Sequence, residues 1–436
     1  MFVAGGMPTH TYVNRDELGL EKLLYREVDE GYKIVCITGP TKSGKTVLCN
    51  KVFGQEKCLW IPGGQIEGID EFWSYVIGEL ELPDEEKTTR KSSIGANIGA
   101  LIGLKSQIEM GKEFRITKNL RSIAMQFIRE SNLKIIVDDF HYINSDTQRA
   151  IIDALKSEIF HGLCLILIAT PHHAFDAIAR RREMEGRFSH IRIPTWSVDQ
   201  LERIGKVGFP LLNMEVTEDC ISNLAEESFE SPLLMQRFCS RLCSHFEIGA
   251  KLGRKRSISP TAVALEQIFE EVAESSGFPA FQKLSTGPQS RSKRLERRLA
   301  NSNEKADIYE CILFAIAKTG PKSTITYNEI RSVLQDILEP EHVPQKQQVS
   351  HALSQMSTIA KEKIDGEPVV EWIDDVLHIT DPHLMFYLRW VIRRQRFDQG
   401  FKIFDFLSTL LKGRDLEVFK TGVVRPRDNG GGGFGR

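Results

Sequence analysis

The stretch CITGPTKSGKTVLC, Cys36 to Cys49, decides how the rest of the chain is read. Its first residues are apolar and β-branched, as a strand buried on both faces requires. Gly39 and Gly44 then bracket a loop, and Lys45 and Thr46 open a helical stretch. Every fixed position of the spacing G-x-x-x-x-G-K-[ST] is met. Glycine permits backbone conformations that other residues resist, so the loop Gly39, Pro40, Thr41, Lys42, Ser43 and Gly44 can turn successive N–H groups inward around phosphates. Lys45 brings a point charge to the β- and γ-phosphates, and Thr46 offers a hydroxyl to Mg²⁺. The helix running on from Val47 adds its positive N-terminal end.

A loop of this kind needs an acid on the far side to hold the metal. LKIIVDDFHYIN supplies four apolar strand residues followed by Asp138 and Asp139. Asp138 is the expected holder of the Mg²⁺ water shell, and Asp139 is placed to orient or deprotonate the attacking water. The next apolar run, LCLILIAT, ends in Thr170, whose hydroxyl can bond that water or the γ-phosphate, or simply cap the strand. Further on, ARRREMEGRFSHIRIP carries Arg180, Arg181, Arg182 and Arg187. One of them, with Arg187 the nominee, could reach a neighbouring subunit's γ-phosphate; a solvated basic helix end is the alternative. The expected ligands are ATP and Mg²⁺.

With 436 residues the chain is long for one core, and two or three domains are expected. Its 57 basic and 59 acidic residues nearly cancel, so only local clusters bear on nucleic acid. The 8 cysteines are scattered without metal-ligand pairing. Cys239 and Cys243, one helical turn apart, read as a helix core face rather than a zinc site. Free thiols of this kind suit a cytoplasmic setting. No apolar run approaches the ~18 residues of a membrane span; SSIGANIGALIGLK, Ser92 to Lys105, is too short and too rich in glycine.

Residues 1–196 alternate helical stretches with the runs YKIVCIT, KCLWIP, LKIIVDD, LCLILIAT and HIRIP. That alternation predicts an α/β fold, a parallel sheet with helices on both faces. Residues 197–250 read as purely helical, a lid on the core. Residues 251–305, with GRKRSISP and STGPQSRSKRLERR, read as a basic linker or helical connection. Residues 306–395 give helix, helix, helix and two short strands around Asp374 and Asp375, the order of a winged helix, with Thr326 expected to cap the second helix. Residues 396–436 read as a C-terminal helix and a disordered tail.

In this order of phosphate loop, Asp-Asp strand, polar-tipped strand, arginine-rich segment and helical module, the chain resembles the AAA+/STAND class of P-loop ATPases. TYVNRDELGLEKLL, Thr11 to Leu24, is similar to the box of that class that contacts the adenine side, which implies a nucleotide-side role for Arg15. DDFHYI, Asp138 to Ile143, resembles the STAND form of the metal-strand motif. ESPLLMQRFCSRLC, Glu230 to Cys243, is similar to the lid-helix motif, which implies that Pro232 lies near the nucleotide. Leu233 stands where that class usually has its lid arginine, so that function is expected to be absent unless Arg237 replaces it. Asp139, a shorter base than the glutamate of many relatives, implies slow hydrolysis.

The sequence offers no second catalytic constellation; the adjacent His172 and His173 read as solvated loop residues. ATP is therefore the chemistry, and two uses of it stand. One is a STAND-like switch that assembles into a homo-oligomer and regulates a protein partner, with phage defence fitting by family analogy. The other is a DNA-engaged AAA+ ATPase, with contacts through GRKR (Gly253 to Arg256), RSKRLERR (Arg291 to Arg298) and a recognition helix bearing Lys346, Gln347, Gln348, Ser350 and His351. The acids Glu371, Asp374 and Asp375 after that helix argue against tight duplex binding by the wing. The glycine-rich insertion Lys91 to Lys112 is a partner-contacting hairpin or a flexible loop.

Overall fold

The five apolar runs form five strands of five residues each: β1 (Ile34–Thr38), β2 (Cys58–Pro62), β3 (Lys134–Asp138), β4 (Leu165–Ala169) and β5 (Phe188–Arg192). All pairings are parallel, in the order β2-β3-β4-β1-β5. The computed structural model describes residues 1–54, 56–80, 116–170, 186–289, 294–300, 305–319, 322–364 and 368–397. The insertion 91–112, His172, His173, Arg180 to Arg182 and the tail after 397 therefore lie outside the described residues. The chain divides into two units, Met1–Ser259 and Pro260–Arg436.

Strand side chains alternate between faces, and each face of this sheet is apolar. Val35, Ile37, Ile136, Ile166, Ile168 and Ile191 pack with Leu24 and Val28 of α1 (Leu20–Asp29) and Leu48 of α2 (Lys45–Phe53). Leu59, Ile61, Ile135, Val137, Leu165 and Leu167 turn the other way. There they meet α3 (Ile69–Glu79), α4 (Ile116–Glu130) and α5 (Ser145–Phe160) through Phe72, Val76, Ile128, Ile151 and Leu155. Fully burying one such side chain is worth about 1.5–3 kcal/mol. A one-residue slip of register would exchange the two sets, so the register is fixed by packing on both sides. Thr38 stands opposite Ala169 and Pro62 opposite Asp138, which aligns the carboxyl ends of β1 to β4 along one edge.

Past β5, Ser197 caps α6 (Val198–Leu211) by accepting from Gln200 N at 3.3 Å, and α7 (Glu218–Glu226) and α8 (Pro232–His245) follow. This module is not purely helical, as the sequence led us to expect. Between α6 and α7 runs β6 (Met214–Val216), parallel to β7 (Arg256–Ile258), a strand from the stretch read as the start of a linker. Asn213, at φ 59°, turns the chain out of α6, and its side chain and backbone hold Leu252 and Arg256. At three residues, each strand is too short for a sequence period to reveal.

In the second unit the remainder of the expected linker is largely α9 (Ala262–Thr286), a 25-residue helix capped by Thr261, followed by the antiparallel pair β8 (Arg297–Arg298) and β9 (Lys305–Ala306). Then come α10 (Ile308–Lys318), β10 (Thr324–Thr326), α11 (Tyr327–Ile337), α12 (Lys346–Glu362), β11 (Val370–Ile373), β12 (Val376–Ile379) and α13 (Pro382–Phe397). Thr326 caps α11 in a reciprocal box with Glu329. The three strands pair in the order β10-β12-β11, so a third strand joins the two anticipated. Asp374 and Asp375 make the two-residue hairpin turn, both at positive φ (51° and 59°).

Candidate functional site

The loop leaves β1 at Thr38 and enters α2 at Lys45. Gly44, at φ 94°, is the turn residue that no side chain would suit, and Lys42 also sits left-handed at 61°. Gly39 is needed for another reason: a Cβ there would lie 2.8 Å from the carbonyl oxygen of Ile193 and 2.9 Å from its Cβ. Close approach to the segment after β5, not an unusual dihedral, excludes a side chain. Lys45 is buried, and its ammonium donates to the carbonyls of Gly39 (3.0 Å) and Pro40 (2.9 Å). It is thus folded back over the mouth of the loop. Ser43 is buried as well, whereas Val47 is half-buried on the first turn of α2.

Thr46 and Asp138, distant in sequence, meet directly. The hydroxyl of Thr46 donates to Asp138 Oδ2 at 2.8 Å, and the backbone N–H of Asp139 donates to Asp138 Oδ1 at 3.0 Å. Asp139 adopts the left-handed conformation (φ 53°, ψ 40°), which aspartate tolerates better than most residues and which swings the chain away from β3. Burial raises both carboxyls above the ordinary aspartate range. For Asp138 the Thr46 hydroxyl and the Asp139 N–H partly offset this; for Asp139 the neighbouring Asp138 charge adds to it, bringing it to about 6. Lys45 acts against the rise in both. Two acids held this way, beside one buried lysine, form a site short of positive charge.

Gly63, which the sequence reading passed over, is part of the same corner. A Cβ on it would fall 2.5 Å from the carbonyl oxygen of Asp139 and 2.8 Å from that of Asp138. The signal was available in IPGG, at the end of β2, whose Pro62 pairs with Asp138. Thr170 lies one residue beyond β4, half-buried, on the strand between β1 and β3 and at the same carboxyl edge. Loop, acids and threonine therefore share one end of the sheet, where ligands of open α/β sheets bind.

Arg187 is not brought to that end in its own chain. It immediately precedes β5, its carbonyl accepts from Ile34 N at the start of β1, and its guanidinium lies 4.8 Å above the ring of Phe160. The strand length puts it roughly 16 Å from the loop edge. Arg15 is buried; it donates to the carbonyls of Pro194 (3.0 Å) and Thr195 (3.4 Å) and stacks 4.4 Å above the ring of Trp196. Trp196, also missed in the sequence, donates its indole N–H to the carbonyl of Ser43 at 2.9 Å. Pro232 is the first residue of α8, and one turn later Gln236 holds the N-terminal segment through Thr11.

The residues present fit a magnesium triphosphate. The loop offers backbone amides, a helix N-terminus and one lysine; a threonine hydroxyl and an aspartate already in contact mark where a divalent ion would find oxygen ligands. Thr46 and Asp138 would hold the ion, which when bound would neutralise phosphate charge.

No protein-family model matches the chain, and no curated protein does. Among solved structures it is similar to a Walker-type ATPase of Pyrococcus abyssi, at 13% identity and a TM-score of 0.51, over 87% of this chain and 96% of that one. It is also similar to the ORC2 protein of Aeropyrum pernix (12% identity, TM-score 0.45, 91% and 98% covered) and to Cdc6p of Pyrobaculum aerophilum (13%, 0.41, 90% and 97%). The first of these likenesses bears on the fold. The fold is that of an α/β P-loop NTPase: a parallel five-stranded sheet with helices on both faces. Among the described residues no helix is long and apolar enough to cross a membrane.

Proposed function

We propose that the protein binds ATP with Mg²⁺ and hydrolyses it as an AAA+-type switch of the STAND kind. The observation that carries the reading is the Thr46–Asp138 contact at 2.8 Å at the mouth of a loop closed by Lys45. The name of the Pyrococcus abyssi neighbour, a Walker-type ATPase, agrees with it. In this reading Lys45 and the loop amides bind the phosphates, and Thr46 and Asp138 hold the metal. Asp139 orients the attacking water and takes its proton, while Thr170 bonds that water or the γ-phosphate. Asp139 sits on a left-handed backbone, and burial beside Asp138 raises its carboxyl to about 6, which makes its carboxylate a stronger proton acceptor than an ordinary aspartate. Arg187, at the opposite end of its own sheet, serves a neighbouring subunit's site, which makes assembly a condition of full activity. Residues 306–395 form a winged helix that engages the partner.

Calorimetry with ATP and Mg²⁺ tests the reading. The full chain should show a saturable heat that Lys45→Ala abolishes. Asp139→Asn should keep the heat but lose phosphate release by about 100-fold or more, the scale of a general base. No heat from the wild-type chain would end the proposal.

A second reading, a DNA-engaged ATPase, draws on the helix-and-strand order of the second unit and on the exposed Arg254 and Arg256. Three observations weigh against it. Lys346 on α12 is held by Asp375 of the hairpin turn at 2.7 Å, and Arg297 of RSKRLERR is buried, bonding the carbonyl of His342 and the side chain of Gln348. Arg294 pairs with Asp307 at 2.6 Å. Sizing the protein with an ATP analogue, with and without a duplex, separates the two readings: assembly on analogue alone favours the switch.

A further inference from the structure

The Ser43 carbonyl, in the middle of the phosphate loop, accepts from the Trp196 indole. A planar trans peptide points its C=O and its N–H in opposite directions. The indole that holds the carbonyl of Ser43 outward therefore aims the N–H of Gly44, the last loop amide before α2, inward. Trp196 comes from the segment after β5 and is itself buried.

The face of the Trp196 ring carries Arg15 at 4.4 Å, and Arg15 ends a well-anchored N-terminal segment. Four residues earlier, Thr11 donates its hydroxyl to Gln236 Oε1 at 2.9 Å and accepts Gln236 Nε2 on its carbonyl at 3.1 Å. Val3 N donates to the same Oε1 at 3.1 Å. Both ends of a buried amide are thus spent on one segment. Phe2 lies against Gly208 of α6 so closely that any Cβ there would fall 2.3 Å from its ring, and it packs on Phe209 at 4.9 Å. Residues 1–15 form a strap clasped to α6 and α8 at one end and to Trp196 at the other.

We propose that Trp196 is a positioning residue that presets the Gly44 amide and, through Arg15 and the strap, ties the phosphate loop to the α6–α8 module. The tie rests on the nucleotide-site reading above for its consequence but not for its existence. It converts a change at the loop into a change at α8, whose first turn carries Pro232.

The test is amide hydrogen exchange on the full chain, first without nucleotide. Trp196→Phe keeps an aromatic ring and removes the donor. It should speed exchange at 40–46 and at 1–15 by about 5–10-fold, the effect of one lost hydrogen bond, and leave 58–79 unchanged. Gln236→Met, at the far end of the strap, should loosen 1–15 and carry through to 40–46. Unchanged exchange at 40–46 in both variants, or a uniform rise across residues 1–259, overturns the proposal. With Mg²⁺ and a non-hydrolysable ATP analogue, Trp196→Phe should bind about 5–10-fold more weakly. Equal affinity would remove the positioning role. If the wild-type chain bound no analogue, the nucleotide reading would fail, while the nucleotide-free exchange would still decide the tie.

Discussion

Two adjacent glycines show how sharply single residues are constrained at this site. Gly63 faces the carbonyls of Asp138 and Asp139, whereas a Cβ on Gly64 would meet only the ring of Tyr142 at 3.8 Å, ordinary contact. Gly63→Ala must push the acid corner away from Thr46. We expect it to cost about 1–3 kcal/mol of stability and to weaken Mg²⁺-dependent nucleotide binding, because overpacking against backbone cannot relax by a rotamer change. Gly64→Ala should change neither by more than about 0.5 kcal/mol. Thermal unfolding and calorimetry on the pair check this, and equal behaviour of the two variants would refute it. Neither glycine belongs to the G-x-x-x-x-G-K-[ST] spacing. Their difference comes from β2 pairing with β3, which no reading of either stretch alone contains.

At the scale of elements, the start of α11 is a switchable cap. Thr326 Oγ1 accepts from Glu329 N at 3.3 Å, and Glu329 Oε2 accepts from Thr326 N at 2.8 Å, with Lys322 at 2.9 Å on the other oxygen. These bonds to the backbone and lysine bring the Glu329 carboxyl down to about 2. Its folded value lies below its unfolded one, so its contribution to stability is present above the ordinary glutamate range and is lost as pH falls toward 2. Glu329→Gln should cost a few tenths to about 1 kcal/mol at pH 7, since the carboxylate is exposed and screened. In denaturant titrations the gap between wild type and variant should hold down to about pH 5 and then narrow as pH falls toward 2. A gap independent of pH would show that the charge plays no part. Thr326 was legible as a cap in TITYNEI; that Thr324–Thr326 also pairs with β12 was not, because three residues carry too little pattern.

For the whole molecule, every described residue of the candidate site lies in the unit Met1–Ser259. Residues 1–259 alone should therefore fold and bind nucleotide as the full chain does, by calorimetry. Ending the chain at 250, the boundary that the glycine- and base-rich composition indicates, removes β7 and leaves β6 with an open edge. That shorter piece should unfold several degrees lower than 1–259; equal melting temperatures would make the β6–β7 pair irrelevant to the unit. Composition located the change in character near 250 but not the boundary, since a strand of three residues within basic sequence looks like a linker until its partner is known.

By itself the sequence determined the five strands, the phosphate loop, the acid pair and the class of fold, because these depend on local matters: β-branched runs, glycine at a left-handed turn, and a lysine and a threonine at a helix start. Only the tertiary structure decided which distant groups touch. Parallel pairing put Thr46 on Asp138, Gly63 under Asp139, Trp196 on the loop and Arg187 at the far edge. Such contacts depend on strand order and on packing between segments far apart in the chain, and no short stretch of sequence encodes either.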